Sequence, residues 1–329
     1  LGDVYKRQKV DYNESVNIPG ETHFTGYDST EGTGTVVALL AEGELVQALA
    51  AGERGIVILD STPFYGESGG QVGDCGFLQG NSSRADVSDT TKAQGHHFHH
   101  AHVTSGSLNV GDALTATVDN QLRQRIRLNH SATHLLHEAL RRVLGDHVVQ
   151  KGSLVDSERL RFDFSHGEAV NAMQIEEITQ IVNAQIRGNS ATTTQLMDMD
   201  SAVAAGATAL FGEKYGDEVR VLSMGSDGFS VELCGGTHVD RTGDIGLLLV
   251  TGESGVAAGV RRIEALTGEA ALKQSLASNQ RVVDVAEVLK ATPMAVVDKA
   301  GALRSELREL EKEVARLKQK LATSSGGDL

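Results

Sequence analysis

Two short segments, about a hundred residues apart, each pair potential metal ligands four positions apart. The first is His130-Ser-Ala-Thr-His134 and the second is Cys234-Gly-Gly-Thr-His238. The first lies in a stretch with helical apolar spacing, so its two histidines are predicted to share one face of a helix, one turn apart. One thiolate and three imidazoles suit a tetrahedral zinc ion. The sequence therefore predicts a zinc site, and the fold must bring the two segments together to form it.

The residue after the first histidine argues against a zinc metalloprotease. The protease motif places a glutamate directly after its first histidine, where it acts as the general base. Here that position is Ser131, and no carboxylate stands between His130 and His134.

Composition limits the class of protein. A chain of 329 residues can form two or three domains. The net charge of −14 argues against a broad nucleic-acid surface, although basic residues cluster locally between 123 and 161 and again at 261–262. From charge alone, we expect these basic residues to lie on solvent-exposed faces of helices and strands. Two cysteines fit a reducing cytoplasm, and no apolar run is long enough to cross a membrane.

The first third of the chain is predicted to be all-β. Short strands at 35–41, 55–60, 84–87, 97–103 and 113–118, separated by glycine-rich turns, favour a small β-barrel over residues 21–118. The segment 64–74 holds four glycines in eleven residues, which predicts a loop whose backbone approaches another group closely. Residues 1–20 carry no pattern and are left unassigned.

The middle of the chain mixes helices and strands without a βαβ rhythm, which predicts an α+β domain on an antiparallel sheet over residues 119–267. Amphipathic helices are predicted at 121–144 and 171–187, the second burying Met173, Ile178, Ile181 and Ile186. Strands are predicted at 148–155, 159–164, 191–197, 218–224, 229–233, 246–251 and 260–265.

The last part, residues 268–329, is predicted to be helical. Leu303, Leu307, Leu310, Val314, Leu317 and Leu321 are spaced alternately four and three apart, which is a heptad seam. A seam this short predicts either a partner helix, including one from a second subunit, or packing of the helix on its own domain.

Nine segments in family order make the chain resemble the editing part of the alanyl-tRNA synthetase family. They are residues 26–28, 64–65, 67–74, 128–134, 150–154, 161–164, 211–215, 232–238 and 259–264. The resemblance implies a fragment that covers the barrel, the editing domain and the start of the C-terminal coiled coil. It also implies that the family's N-terminal aminoacylation domain is absent. Residues 1–8 resemble nothing in the family.

By this resemblance the function is zinc-dependent hydrolysis of seryl- or glycyl-tRNA(Ala), with the acceptor end of the tRNA as the partner. The zinc ligands are then His130, His134, Cys234 and His238. The missing aminoacylation domain would be a partner of the same protein, and the C-terminal region could support self-association.

The resemblance and the positions beside the metal segments suggest roles for further residues. Thr133 is expected to recognise the serine hydroxyl, with a hydroxyl bonded to its own helix as the alternative. Gln150 is expected to orient water or the terminal ribose, and Lys151 and Arg261 to contact phosphate. Gly69 and Gly70 are expected to let the barrel loop close over the substrate.

Two alternatives stay open. The chain could be a free-standing protein that edits mischarged tRNA, or a non-catalytic tRNA-binding module with a structural zinc. Closure of the site by four protein ligands favours the second, because a catalytic zinc usually keeps one position open.

Overall fold

A computed structural model describes residues 18–208 and 218–325 of the chain, with side chains to residue 322. Contacts divide the chain into two units, Leu1–Ala271 and Leu272–Leu329. The predicted boundary between barrel and editing domain therefore falls inside the first unit. The motif at 211–215 and the segment 1–8 lie outside the described residues.

The first part of unit 1 is a closed six-stranded antiparallel barrel, in the order β11-β7-β8-β9-β5-β2 and back to β11. The strands are β1 (His23–Phe24), β2 (Glu31–Ala41), β3 (Glu44–Val46), β4 (Ala48–Ala50), β5 (Arg54–Leu59), β6 (Ser61–Thr62), β7 (Gly76–Gln79), β8 (Arg84–Ala93), β9 (His96–Ser105), β10 (Ser107–Asn109) and β11 (Ala113–Val118). Of the short strands, β3 pairs with β2, while β1 with β6 and β4 with β10 form two separate two-stranded sheets.

The predicted β-barrel is confirmed, but the sequence did not reveal the strand that closes it. β7 pairs with β8 on one side and with β11 on the other. It contributes only four residues and follows the glycine-rich segment, so it carries too few alternating positions to be recognised as a strand.

The second part of unit 1 has two antiparallel sheets, β12-β13-β18-β17 and β14-β15-β16, with helices packed on them. This confirms the predicted α+β class. The elements are α1 (Asn120–Leu144), β12 (Gln150–Val155), β13 (Leu160–Ser165), α2 (Ala172–Gly188), β14 (Thr193–Asp198), α3 (Met199–Ala204), β15 (Glu218–Met224), β16 (Ser230–Leu233), β17 (Leu248–Ala257) and β18 (Val260–Thr267), after which α4 (Gly268–Val288) begins and continues into unit 2.

Helix α1 runs through the middle of unit 1. It begins after Asp119, whose carboxylate accepts hydrogen bonds from two backbone N–H groups of the first turn, and it ends before Gly145, as predicted. The prediction of an amphipathic helix is wrong for its centre, because every side chain from Asn129 to His137 is buried. The centre is therefore enclosed by protein on all sides, which the polar residues there do not indicate.

Helix α2 is confirmed, with Ile178 and Ile186 buried and Ile181 partly buried against the core. The prediction for Met173 is wrong, since its side chain is 78% exposed. Met173 lies in the first turn of α2, about 200° around the helix from Ile175, which packs against the core, so its side chain points to solvent.

Unit 2 is helical, as predicted, and contains most of α4 together with α5 (Val296–Ser325). The six seam residues of α5 are all exposed. Within the described residues, no helix is both long and apolar enough to cross a membrane.

A buried ion pair joins α1 to the barrel. The guanidinium of Arg123 donates from Nε to the Asp74 carboxylate at 2.9 and 3.0 Å and also to the carbonyls of Gly26 and Pro63. Both charged side chains are almost fully buried. The pair therefore fixes the start of α1 against the loop that leads into β7.

We expect Arg123→Ala to lower the free energy of unfolding by about 3–5 kcal/mol, because it leaves the Asp74 carboxylate buried without its partner. Urea denaturation measures the change. The matched control is Arg125→Ala, since Arg125 makes only an exposed contact of 3.9 Å with Glu158 and should cost less than about 1 kcal/mol. Equal losses for both variants would contradict this account of the junction.

Candidate metal centre

The two predicted ligand segments meet in the structure. His130 and His134 lie one turn apart on α1, while Cys234 directly follows β16 and His238 ends the turn after it. All four side chains are buried, and their ligand atoms lie within 4.8 Å of one another. The predicted set is thus a compact cluster with one sulfur and three nitrogens.

Each of the three histidines has an oxygen atom in contact with its Nδ1 atom. Nδ1 of His130 lies 2.7 Å from Oε1 of Gln71, and Nδ1 of His134 lies 2.6 Å from a carboxylate oxygen of Glu232. Nδ1 of His238 lies 3.4 Å from the Ser131 hydroxyl. The Gln71 and Glu232 oxygens accept, which places a proton on Nδ1 of His130 and of His134, whereas the Ser131 hydroxyl can donate or accept and does not fix the tautomer of His238. Burial opposes the charged ring, but Glu232 and Cys234 raise the pKa of His134 to about 10, so a metal would displace the proton on its Nε2.

The Gln71 amide is itself oriented by the turn that carries the ligands. Its Oε1 accepts from the backbone N–H of Thr237 at 2.9 Å, and its Nε2 donates to the Thr237 hydroxyl at 2.9 Å. Only one placement of the amide satisfies both contacts. Oε1 must therefore face His130, which fixes the tautomer of that histidine.

Glycine at position 236 is required by the close approach of this turn to α1. A Cβ atom there would lie 2.1 Å from Cε1 of His130. The turn is also held from β15, because Nη1 of Arg220 donates to the carbonyls of Cys234 and Gly236 at 3.2 and 2.9 Å. The Gly-Gly pair thus lets the ligand turn lie directly against the helix.

The electrostatics of the cluster favour a thiolate. Burial alone would raise the pKa of Cys234, but the imidazoles of His130, His238 and His134 lower it well below its ordinary value. Burial, with a further contribution from His130, lowers the pKa of His238 to about 3, so that ring is neutral. A thiolate and a neutral imidazole are the forms that bind a metal.

Two buried nitrogens support a metal at this place. Nε2 of His134 and Nε2 of His238 have no hydrogen-bond partner, and both face the cluster. A buried nitrogen without a partner costs about 1–3 kcal/mol. An ion among the four side chains would satisfy both atoms, so the residues fit a metal ion.

A polar cleft of about 440 Å³ adjoins the cluster. Its walls include Tyr27, Arg127, Arg220 and His238. Arg220 stacks over the Tyr27 ring at 4.0 Å, and Nη2 of Arg127 pairs with Asp240 at 2.8 Å. The cleft therefore places cationic and aromatic groups beside one of the four candidate metal ligands.

The predicted site residues Thr133, Gln150, Lys151 and Arg261 lie on three different elements: α1, β12 and β18. Thr133 is buried on α1, and its hydroxyl donates to the Asn129 carbonyl at 2.8 Å, as the alternative predicted. Gln150 begins β12 and Lys151 follows it, the latter exposed. Arg261 on β18 forms a double contact with Glu253 at 2.5 and 2.6 Å.

The predicted glycine loop contacts the α+β domain. Gly70 has φ of +85°, and a Cβ atom there would lie 2.6 Å from the Ser153 carbonyl. The Gly70 carbonyl accepts from the Val155 N–H at 2.8 Å, while Gly69 has φ of +58°. The loop therefore lies on β12, the strand that begins with Gln150.

Sequence reasoning missed the groups that hold the ligands. Gln71, Ser131, Glu232 and His137 had no assigned role, although the first three lie inside the segments that carry the family resemblance. The available signal was the presence of polar residues directly beside predicted ligands in buried stretches, because metal-binding histidines need acceptors for their second nitrogen.

Comparisons with known proteins agree with this geometry. Residues 3–122 match the family described as tRNA synthetases class II (A), and residues 219–264 match the threonyl and alanyl tRNA synthetase second additional domain. The latter segment contains Cys234 and His238.

The similar curated proteins are alanine–tRNA ligases. The chain is 55% identical over 320 residues to those of Pseudomonas fluorescens and Pseudomonas entomophila, and 54% identical to that of Saccharophagus degradans. In each case the match covers 97% of this chain and 36% of the relative. The chain therefore belongs to the alanyl-tRNA synthetase family and corresponds to about a third of the length of these relatives.

Proposed function

We propose that this chain is the editing part of an alanyl-tRNA synthetase and hydrolyses the ester of seryl- or glycyl-tRNA(Ala) in a zinc-dependent reaction. The observation that carries the proposal is the buried cluster of one cysteine and three histidines beside a polar cleft. The acceptor end of the tRNA is the proposed partner, and the cytoplasm is the proposed location. We propose two further partners for the whole protein: its own aminoacylation domain, and a second copy that associates through α5.

Zinc is the proposed metal because of the donor set. One thiolate with three imidazoles is borderline soft and suits tetrahedral zinc. A zinc ion beside the ester would polarise its carbonyl oxygen and lower the pKa of a bound water. The protein's own residues must bind the tRNA end, orient the ester and select the amino acid.

The cleft is the proposed place for the tRNA terminus. Arg127 and Arg220 supply positive charge next to His238, and the Tyr27 ring is 45% exposed. Guanidinium groups and aromatic rings are the usual contacts for single-stranded nucleic acid. Since Arg127 pairs with Asp240, a phosphate contact by its guanidinium requires that pair to open.

Thr133 is proposed to select serine. Its proton already goes to the Asn129 carbonyl, so its oxygen can act only as an acceptor toward a ligand. The hydroxyl of a seryl ester could donate to that oxygen, whereas alanine has no such group. Glycine has no hydroxyl and cannot make this contact. Discrimination between glycine and alanine must therefore come from the size of the pocket.

The remaining roles are proposals of the same kind. Gln150 would orient water or the terminal ribose, and Gly69 and Gly70 would let the barrel loop approach the substrate. Lys151 would contact phosphate. A phosphate contact by Arg261 requires its pair with Glu253 to open, because both partners are engaged.

A second candidate is a non-catalytic tRNA-binding module with a structural zinc. Four protein ligands within bonding reach favour it, since they would fill a tetrahedral shell. A free-standing editing protein is the other alternative, and it predicts the same chemistry for the chain.

We expect the purified chain to hold about one zinc ion, and Cys234→Ala to lose it, because a thiolate ligand is removed. Metal analysis after dialysis measures the content. Free zinc at a hundred times the dissociation constant should stabilise the wild-type chain by about 2.7 kcal/mol, seen as a higher melting temperature. Cys75→Ala is the matched control, since Cys75 lies outside the cluster. A Cys234→Ala chain with a full zinc complement would remove Cys234 from the ligands.

We expect the chain to release serine and glycine from tRNA(Ala) faster than alanine, measured as initial rates with each ester. Thr133→Val should slow release of serine by about 2- to 12-fold, the value of one hydrogen bond, and leave glycine release unchanged. Thr179→Val is the matched control, because Thr179 makes the same bond to its own helix at 2.7 Å on α2. If a zinc-loaded chain cleaves neither ester faster than buffer does, the hydrolase is rejected in favour of the structural-zinc module.

A further inference from the structure

We propose that Glu232, held in place by His137, supplies the negative charge that makes the metal centre selective for a divalent ion. This inference rests on the proposed metal site. It assigns a positioning and charge-balancing role to two residues outside the four ligands.

The geometry places Glu232 between two histidines of α1. One carboxylate oxygen lies 2.6 Å from Nδ1 of His134, and the other lies 2.9 Å from Nδ1 of His137. Glu232 is 4% exposed and lies on β16, two residues before Cys234. The carboxylate therefore connects the strand that leads to the thiolate with the helix that carries the histidine ligands.

Charge balance gives the carboxylate its role. A divalent ion among neutral imidazoles is matched in part by the Cys234 thiolate, which leaves one positive charge in a buried place. An uncompensated buried charge costs several kcal/mol. Ionised Glu232 cancels it, and no other carboxylate among the described residues lies in contact with a ligand of the cluster.

The contact with Glu232 also explains why position 137 holds a histidine. Its ring is 2% exposed, and its Nε2 atom has no hydrogen-bond partner, which is unfavourable in a packed interior. Its hydrogen bond to Glu232 is the contact that accounts for an imidazole at this position, since an apolar side chain could pack against Phe162 equally well. His137 therefore orients the carboxylate and does not bind the metal.

The same contacts allow a simpler role, in which Glu232 only orients the His134 ring. The two roles differ in their consequence for a monovalent ion. With copper(I), the thiolate alone balances the charge, so loss of the carboxylate charge should cost little. If Glu232 only orients His134, its loss should weaken zinc and copper(I) alike.

The test is Glu232→Gln, which keeps the size of the side chain and one acceptor oxygen, for Nδ1–H of His134, and removes the charge. Its amide NH2 then faces His137, whose ring can carry its proton on Nε2 instead of Nδ1. Zinc and copper(I) affinities are measured for the full chain by competition with chelators. We expect zinc binding to weaken by about 10- to 100-fold and copper(I) binding by less than about threefold. An equal loss for both ions, or no loss for zinc, overturns the proposal.

The role of His137 is tested with a pair of variants. His137→Asn keeps a donor near the position of Nδ1, and His137→Phe keeps the ring and removes the donor. We expect the Phe variant to weaken zinc binding and the Asn variant to restore most of it, with the cobalt(II) absorption spectrum reporting the coordination geometry. Equal zinc affinities for the two variants would overturn the role of His137.

Glu138→Gln is the matched control, since Glu138 pairs with Arg142 away from the cluster. Circular dichroism verifies folding of every variant. A wild-type chain that binds neither ion would reject the metal site and this inference together, whereas normal wild-type binding with an unaffected Glu232→Gln chain rejects this inference alone.

Discussion

A thiolate can be buried only where positive charge or a metal compensates it, and this requirement governs the centre of unit 1. Cys234 lies among three imidazoles, with its pKa well below the usual value despite burial. The ligand turn must therefore lie directly on α1, and Gly236 makes that approach possible. The enclosure of α1 from Asn129 to His137 accompanies this, because groups from the barrel loop and from the β14-β15-β16 sheet surround the cluster.

The barrel and the α+β domain build the centre together. Gln71 comes from the barrel loop, whereas the residues it orients come from α1 and from the turn after β16. The loop is anchored to β12 by two backbone hydrogen bonds: the Val72 N–H donates to the Val155 carbonyl, and the Val155 N–H donates to the Gly70 carbonyl. A metal centre that takes its supporting groups from both parts explains why the barrel and the editing domain form one compact unit.

Much of the fold and the ligand set could be predicted from sequence because both rest on local spacing. His130 and His134 are four apart on a strongly periodic helix, and the strands around them alternate or form short apolar runs. The supporting groups could not be predicted in this way. The contact of Gln71 with Thr237 spans 166 positions, and only the tertiary fold brings them together. The assignment of Met173 to the core is wrong because helical spacing puts Met173 opposite Ile175, which packs against the core.

The central claim is that the four side chains bind one zinc ion as a single shell. X-ray absorption spectroscopy of the zinc-loaded chain tests this most directly, because it counts sulfur and nitrogen neighbours and gives their distances. The account predicts one sulfur at about 2.3 Å and nitrogen neighbours at about 2.0–2.1 Å. A spectrum with oxygen and nitrogen neighbours only, and no sulfur, would contradict it.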